Sequence, residues 1–171
     1  MIHPRVLGQE SLHQKFKTNR PYQKVVTDIS EFRYSNKSMS ERIYLSLFKD
    51  LYSGEIISYT ISQRPQTKYV LEGFKQVLAV RPKLPYPMTI HSDQVIQYQS
   101  KAYCQTLKQH YVFQSMSRRA TCHDNAACES PFYIMKVELD YYTYTYHTKK
   151  ALQEPMEKWM NIIIKLESGT S

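Results

Sequence analysis

The sequence is poor in the residues that would staple or anchor a chain. Three cysteines in 171 residues, Cys104, Cys122 and Cys128, are an odd number without framework spacing, which excludes a disulfide scaffold and predicts free thiols in a reducing compartment. Cys122 and Cys128 flank His123 and Asp124, but the close cysteine pair and fourth ligand of a structural zinc site are missing. No run of about 20 apolar residues is available to span a membrane. The first twenty residues lack the apolar stretch of a secretion signal, so a cytoplasmic protein is expected. Internal repeats are absent. Acidic side chains are also scarce, 15 against 23 Lys and Arg, and the resulting charge of +8 favours a polyanionic partner.

The composition that remains is that of a globular protein: 42% hydrophobic and 13% aromatic residues, with 15 tyrosines. The length suits one domain that buries roughly 70% of its unfolded surface. Residues 1–20, basic and sparsely apolar, are expected to be an arm or linker ahead of a core over 21–147, followed by a C-terminal helix and tail over 148–171.

The periodicity of the core changes along the chain. "YQKVVTDISEFRY" has strand density, and its alternation puts Val26, Asp28 and Ser30 on one face with Val25 and Ile29 on the other, an apolar face backed by one that carries a carboxylate. "RIYLSLFKDLY" and "EIISYTIS" complete a three-stranded antiparallel meander. Val70, Phe74, Val77 and Leu78 then recur at helical spacing, predicting a helix from about Gln66 to Val80. A fourth strand, "MTIHS", ends in a polar turn. "SKAYCQTLKQH" follows as a helix with Tyr103, Cys104 and Leu107 inward, then "YVFQSM" as a fifth strand. A third main helix starts around Glu129. Tyr142, Tyr144 and Tyr146 alternate with threonine in a segment expected to be loop or short strand, where packing against the core is favoured over stacking on unpaired bases. A last helix is expected from about Glu154 to Leu166, with Pro155 in its first turn. The sum is an α/β sandwich with a mixed sheet.

This topology lets three carboxylates meet at one edge of the sheet: Asp28 in the first strand, Asp93 just past the fourth, and Glu129 at the start of the third helix. Three hard oxygen ligands are what two Mg²⁺ or Mn²⁺ ions need to serve phosphoryl transfer on a nucleic acid. Each residue also has an ordinary use. Asp93 suits a turn, Asp28 an exposed strand face, Asp124 a helix N-cap, and Arg118 with Arg119 a solvated pair.

The stretches "VVTDISEF", "YLSLFKDLYSGEIISYTISQRP", "IHSDQ" with "QYQ" after it, and "QSMSRRATCHDNAACES" resemble the catalytic core of insertion-sequence transposases of the IS-three group, second reading frame, in the retroviral-integrase superfamily. The resemblance runs from about residue 16 to residue 140, and 35 residues separate Asp93 from Glu129, the spacing of the Asp-Asp-35-Glu group. It implies a ribonuclease-H-like fold, a mixed five-stranded sheet with helices on both faces. It also implies a catalytic, metal-holding triad of Asp28, Asp93 and Glu129, with Ser92 and Asn125 in support. Lys136 stands where related integrases place a DNA-contacting lysine, and Lys101, Arg118, Arg119, Lys149 and Lys150 would add phosphate contacts. The implied activity is metal-dependent DNA strand transfer, with Mg²⁺ or Mn²⁺ as cofactor, two ions when DNA is bound. The implied partners are element ends and target DNA, and a second copy of the chain, with no membrane and no small-molecule cofactor.

Several positions depart from the family pattern. Val25 replaces a tryptophan, while Val95 and Ala120 replace glycines. If the Val95 position requires positive φ, a β-branched residue there costs on the order of a kcal/mol. Pro131, two residues after Glu129, is expected to delay or kink the helix and swing Glu129 away from the aspartates. The element-end recognition region and the closing family signature are also missing, so a truncated and degenerate copy is expected. An inactive nucleic-acid-binding or oligomerising remnant stands as the alternative to an active core, and a ribonuclease-H-type nuclease acting on hybrids is a weaker third.

Overall fold

The computed structural model describes residues 17–35, 40–117 and 126–169, with side chains throughout those ranges except at 126–130. Among them are five strands and five helices, in the order β1 (Lys24–Arg33), β2 (Arg42–Asp50), β3 (Ile56–Ser62), α1 (Thr67–Val80), β4 (Met88–Ser92), α2 (Ile96–Gln99), α3 (Lys101–Gln109), β5 (Val112–Met116), α4 (Ala126–Glu138) and α5 (Lys149–Ser168). They form one sheet in the order β3-β2-β1-β4-β5. The β1–β2 and β2–β3 pairs are antiparallel, while β1–β4 and β4–β5 are parallel. The mixed five-stranded sheet read from the sequence is thus present. Parallel strands need crossovers, and α1 and α3 supply them.

Both faces of the sheet are covered. On one, Val25, Phe48 and Ile90 pack beneath Val70, Phe74 and Val77 of α1 and Tyr103 and Leu107 of α3. On the other, Val26, Phe32, Ile43, Leu45 and Leu47 pack against Phe132 and Met135 of α4 and Leu152, Met156 and Met160 of α5. The expected split of β1 holds, with Val25 and Ile29 on one face and Val26 and Asp28 on the other, but the carboxylate-bearing face is packed as well. Val25 and Val26 are both fully buried, and Asp28 interrupts a buried face.

Helix α1 is fastened to β3 side chain to backbone. Ser58 Oγ donates to the Gly73 carbonyl at 2.8 Å and Thr60 Oγ1 to the Tyr69 carbonyl at 3.0 Å. This close approach needs a residue without a side chain, since a Cβ on Gly73 would stand 2.9 Å from the buried Phe48 ring.

Four local expectations change. The turn after β4 contains a single helical turn, α2. Cys104 is only partly buried, beside the fully inward Tyr103 and Leu107. Helix α5 begins at Lys149, capped by Thr148 Oγ1, which accepts from the Ala151 N–H at 3.1 Å, so Pro155 lies inside the helix rather than in its first turn. The tyrosine-rich segment is a turn. Tyr141 and Tyr146 pack on the second cluster, while Tyr142 and Tyr144 are exposed.

Two substitutions test this packing. Gly73→Val is expected to lose about 1–3 kcal/mol of stability by driving α1 off Phe48, measured by urea unfolding with the slope unchanged. Pro155→Ala restores the missing hydrogen bond to the Ala151 carbonyl and is expected to gain about 1–3 kcal/mol. A loss in that variant would mean the proline ring packs better than a helical N–H bonds.

Candidate active site

The parallel register of β1 with β4 aligns Lys24 with Thr89, Val25 with Ile90 and Val26 with His91. The pairing stops at Val26 and His91, and β4 itself at Ser92. Asp28 and Asp93 each follow the last pair by two residues, where the two strands part.

Asp28 is partly buried, and its Oδ1 accepts from the Ile29 N–H at 2.7 Å. Its negative charge reaches two buried phenols. Tyr69 and Tyr98 are held protonated first by burial and also by repulsion from Asp28. The Tyr69 hydroxyl is buried with no hydrogen-bond partner among the described residues.

Asp93 is half-buried, and burial pushes its carboxyl above the ordinary carboxylate range. The opposing influence is the Val95 N–H, which donates to Asp93 Oδ1 at 3.2 Å. The strand end is pinned from below. Ser92 Oγ donates to the Asp93 carbonyl at 3.0 Å, the Ser92 carbonyl accepts from the Ser117 N–H at 3.0 Å, and His91 Nδ1 lies 2.9 Å from Ser115 Oγ. Ser92 thus supports the turn that carries Asp93. Val95 has φ −69° and ψ 152°, an extended conformation that any residue adopts. The expected strain at this position is therefore absent.

Glu129 belongs to the first turn of α4, and its side chain lies outside the described residues. Pro131 neither delays nor interrupts the helix, which runs from Ala126 through Glu138. Two turns after Glu129, the Lys136 ammonium sits 4.8 Å from the Phe32 ring centroid and 5.6 Å from that of Tyr141. Burial lowers its pKa, against the pull of Glu31. Lys136 therefore caps the sheet through cation–π contact rather than extending into solvent. Lys101 is exposed at the start of α3, Lys149 is partly exposed, and Lys150 pairs with Glu154 at 3.5 Å. Arg118, Arg119, Ala120, Cys122, His123, Asp124 and Asn125 lie outside the described residues, as does the side chain of Cys128.

Two tyrosines escaped the reading of site residues. Tyr98 is fully buried, and its hydroxyl meets Thr27 Oγ1 at 3.1 Å, next to Asp28. Tyr69 reaches the same neighbourhood from α1. The "QYQ" motif held the only sequence signal for Tyr98, and it named no role.

The described residues contain no group of three His, Cys, Asp or Glu side chains able to hold a metal. The two aspartates offer hard oxygen ligands of the kind that suits Mg²⁺ or Mn²⁺. Among the described residues, no helix is long and apolar enough to cross a membrane.

A model of the integrase core domain matches residues 18–122. The chain is 36% identical over 159 residues to the putative transposase InsK of insertion sequence element IS150 from Escherichia coli K12, covering 91% of this chain and 54% of that protein. It is 33% identical over 132 residues to the transposase InsF of insertion sequence IS3fB from the same organism, covering 77% and 44%. It thus spans about half the length of these curated relatives. Among solved structures, the fold is similar to the HTLV-2 integrase catalytic core domain in complex with magnesium (TM-score 0.59, 17% identity, 84% of this chain and 83% of that one). It is also similar to the catalytic domain of the Mos1 mariner transposase (TM-score 0.62, 12% identity, 82% and 70%).

The raised Asp93 pKa sets a sign for stability. Between the unfolded value, about 3.9, and the raised folded value, the folded state holds a proton that the unfolded chain has released, so stability falls as pH rises through that window. Asp93→Asn is therefore expected to resist urea better than wild type at pH 7, with the gap closing as pH falls toward about 4. Urea midpoints measured from pH 4 to pH 8 check this, and parallel curves would remove the desolvation strain assigned to Asp93.

Proposed function

The chain belongs to the integrase core domain family as an IS3-group transposase catalytic core, and from that premise we propose that it performs metal-dependent DNA strand transfer through Asp28, Asp93 and Glu129. The observation that supports the reading is the parallel β1–β4 pairing, which ends at Val26 and His91, two residues short of Asp28 on one strand and of Asp93 on the other. The substrates are element ends and target DNA, and the working unit contains more than one copy of the chain.

In this reading Asp28 and Asp93 hold Mg²⁺ or Mn²⁺ between the parting strands, and Glu129 completes the set from α4. When bound, the cations supply Lewis-acid stabilisation of charge on the phosphate and ease deprotonation of the attacking water or 3′-hydroxyl. The protein's own part is positional. Its hydrogen-bonded strand ends fix the two carboxylates, and burial keeps competing water from Asp93. The exposed Lys101 and the basic excess of the chain draw in the DNA backbone, an attraction that weakens as salt rises.

Nicking of supercoiled plasmid in Mn²⁺ tests the chemistry. Asp28→Asn and Asp93→Asn are each expected to reduce the rate on the order of 100-fold or more, equivalent to about 3 kcal/mol of transition-state stabilisation, without loss of DNA retardation in gels. A wild-type chain that retards DNA and never cuts it would instead be the DNA-binding remnant.

A further inference from the structure

Two acids on different strands make one metal site only if something fixes the distance between them, and the backbone does not do this alone. The β1–β4 pairing ends at Val26 and His91. Beyond it, Asp93 leaves on a turn in which its carboxylate accepts from the Val95 N–H. The next residue of that segment with a hold on β1 is Tyr98.

Tyr98 is fully buried, and its ring packs edge-on against Tyr103, with centroids 5.5 Å apart. Its hydroxyl lies 3.1 Å from Thr27 Oγ1, and Thr27, also fully buried, precedes Asp28. At its other end the Tyr98 carbonyl accepts from Gln114 Nε2 of β5 at 2.7 Å, and its N–H donates to the Val95 carbonyl at 3.1 Å. A single side chain therefore spans from the turn that carries Asp93 to the residue before Asp28. The bond is desolvated, and removing one partner strands the other hydroxyl.

We infer that Tyr98, through its hydroxyl bond to Thr27, is a positioning residue that sets the separation of Asp28 and Asp93 and so their affinity for a divalent cation. The inference rests on the proposed metal-dependent reading of those two aspartates. Neither Tyr98 nor Thr27 touches the cation, and their effect is transmitted through the backbone of the adjoining residue or turn.

The test is a Mn²⁺ titration of the full chain followed by electron paramagnetic resonance of the free ion, on wild type, Tyr98→Phe, Thr27→Val and the double variant. Thermal unfolding of each is recorded in parallel in EDTA. Tyr98→Phe keeps the ring contact with Tyr103 and removes one oxygen. Each single variant is expected to weaken Mn²⁺ binding by about tenfold, the scale on which outer partners tune metal affinity. The double variant should be no weaker than either single one, because both remove the same bond. A purely structural role would instead lower the unfolding temperature in EDTA and leave Mn²⁺ affinity unchanged, which overturns the inference while the proposed function stands. Additive losses in the double variant overturn it as well, since the two residues would then act separately. A wild-type chain that takes up no Mn²⁺ overturns the metal-dependent reading and the inference together. If Tyr98→Phe fails to fold, Thr27→Val alone decides: tenfold weaker Mn²⁺ binding supports the inference and unchanged binding overturns it.

Discussion

The short parallel pairing of β1 with β4 is the constraint on which the rest depends. It fixes three residue pairs, Lys24 to Val26 against Thr89 to His91, and then stops, while β1 runs on for seven more residues paired only to β2 on its other side. Parallel pairs require crossovers and coverage of both faces. The sheet accordingly carries α1 and α3 on one face and α4 and α5 on the other. The part of β1 paired with β4, Lys24 to Val26, holds no acid, and Asp28 falls just past it. The opening between the two strand ends is the place in the sheet where carboxylates can be desolvated and still reached from outside.

That placement has an energetic consequence. Asp93 is half-buried and its carboxyl is raised by burial, so the folded protein holds a charge that it solvates poorly. The turn that carries it is supported by well-satisfied groups nearby. Here the support is local: Ser92 beneath the Asp93 carbonyl, Ser117 on the Ser92 carbonyl, and the Tyr98–Thr27 bond alongside. At the far end of β1, Glu31 is bridged by Arg33 at 2.5 Å and Arg42 at 2.8 Å. Burial raises its pKa, and the two guanidinium hydrogen bonds outweigh that and leave it lowered. Glu31 and Asp93 are thus shifted in opposite directions, one by its guanidinium partners and the other by burial.

Much of this was legible in the sequence because its cause is periodic. Alternation in "VVTDISEF" and "RIYLSLF" marked β1 and β2, and Val70, Phe74 and Val77 at helical spacing marked α1. Strand order alone also suggested that Asp28 and Asp93 lie toward one edge of the sheet. What escaped has no periodic signature. Helix α2 is four residues long, too short for a moment to register. The start of α5 was misread because Pro155 looks like a first-turn proline, although Leu152, Met156 and Met160 at i, i+4 and i+8 already extended the apolar stripe back toward Thr148. The φ of Val95 is a property of the turn, so a β-branched residue in place of a glycine announced strain that the backbone does not have. The Tyr98–Thr27 bond links residues 71 apart in sequence, and only the folded sheet brings them together.

The proposed third ligand is bound by the same geometry. Lys136 of α4 stacks on Phe32, and Tyr141, just past the helix, accepts through its hydroxyl from the Arg33 N–H at 2.7 Å. The end of α4 is therefore fixed against the end of β1. From Lys136 back to Glu129 are seven helical residues, about 10 Å, and from Phe32 back to Asp28 are four strand residues, about 13 Å. If the helix axis follows the strand, these two lengths differ by only a few ångströms. Pro131 lies between the two anchors, with its ring in the buried core, and its missing N–H leaves the Ala127 carbonyl without a helical partner in the turn that bears Glu129. Phe132 and Met135, buried just beyond the proline, hold the remainder of α4 to the sheet.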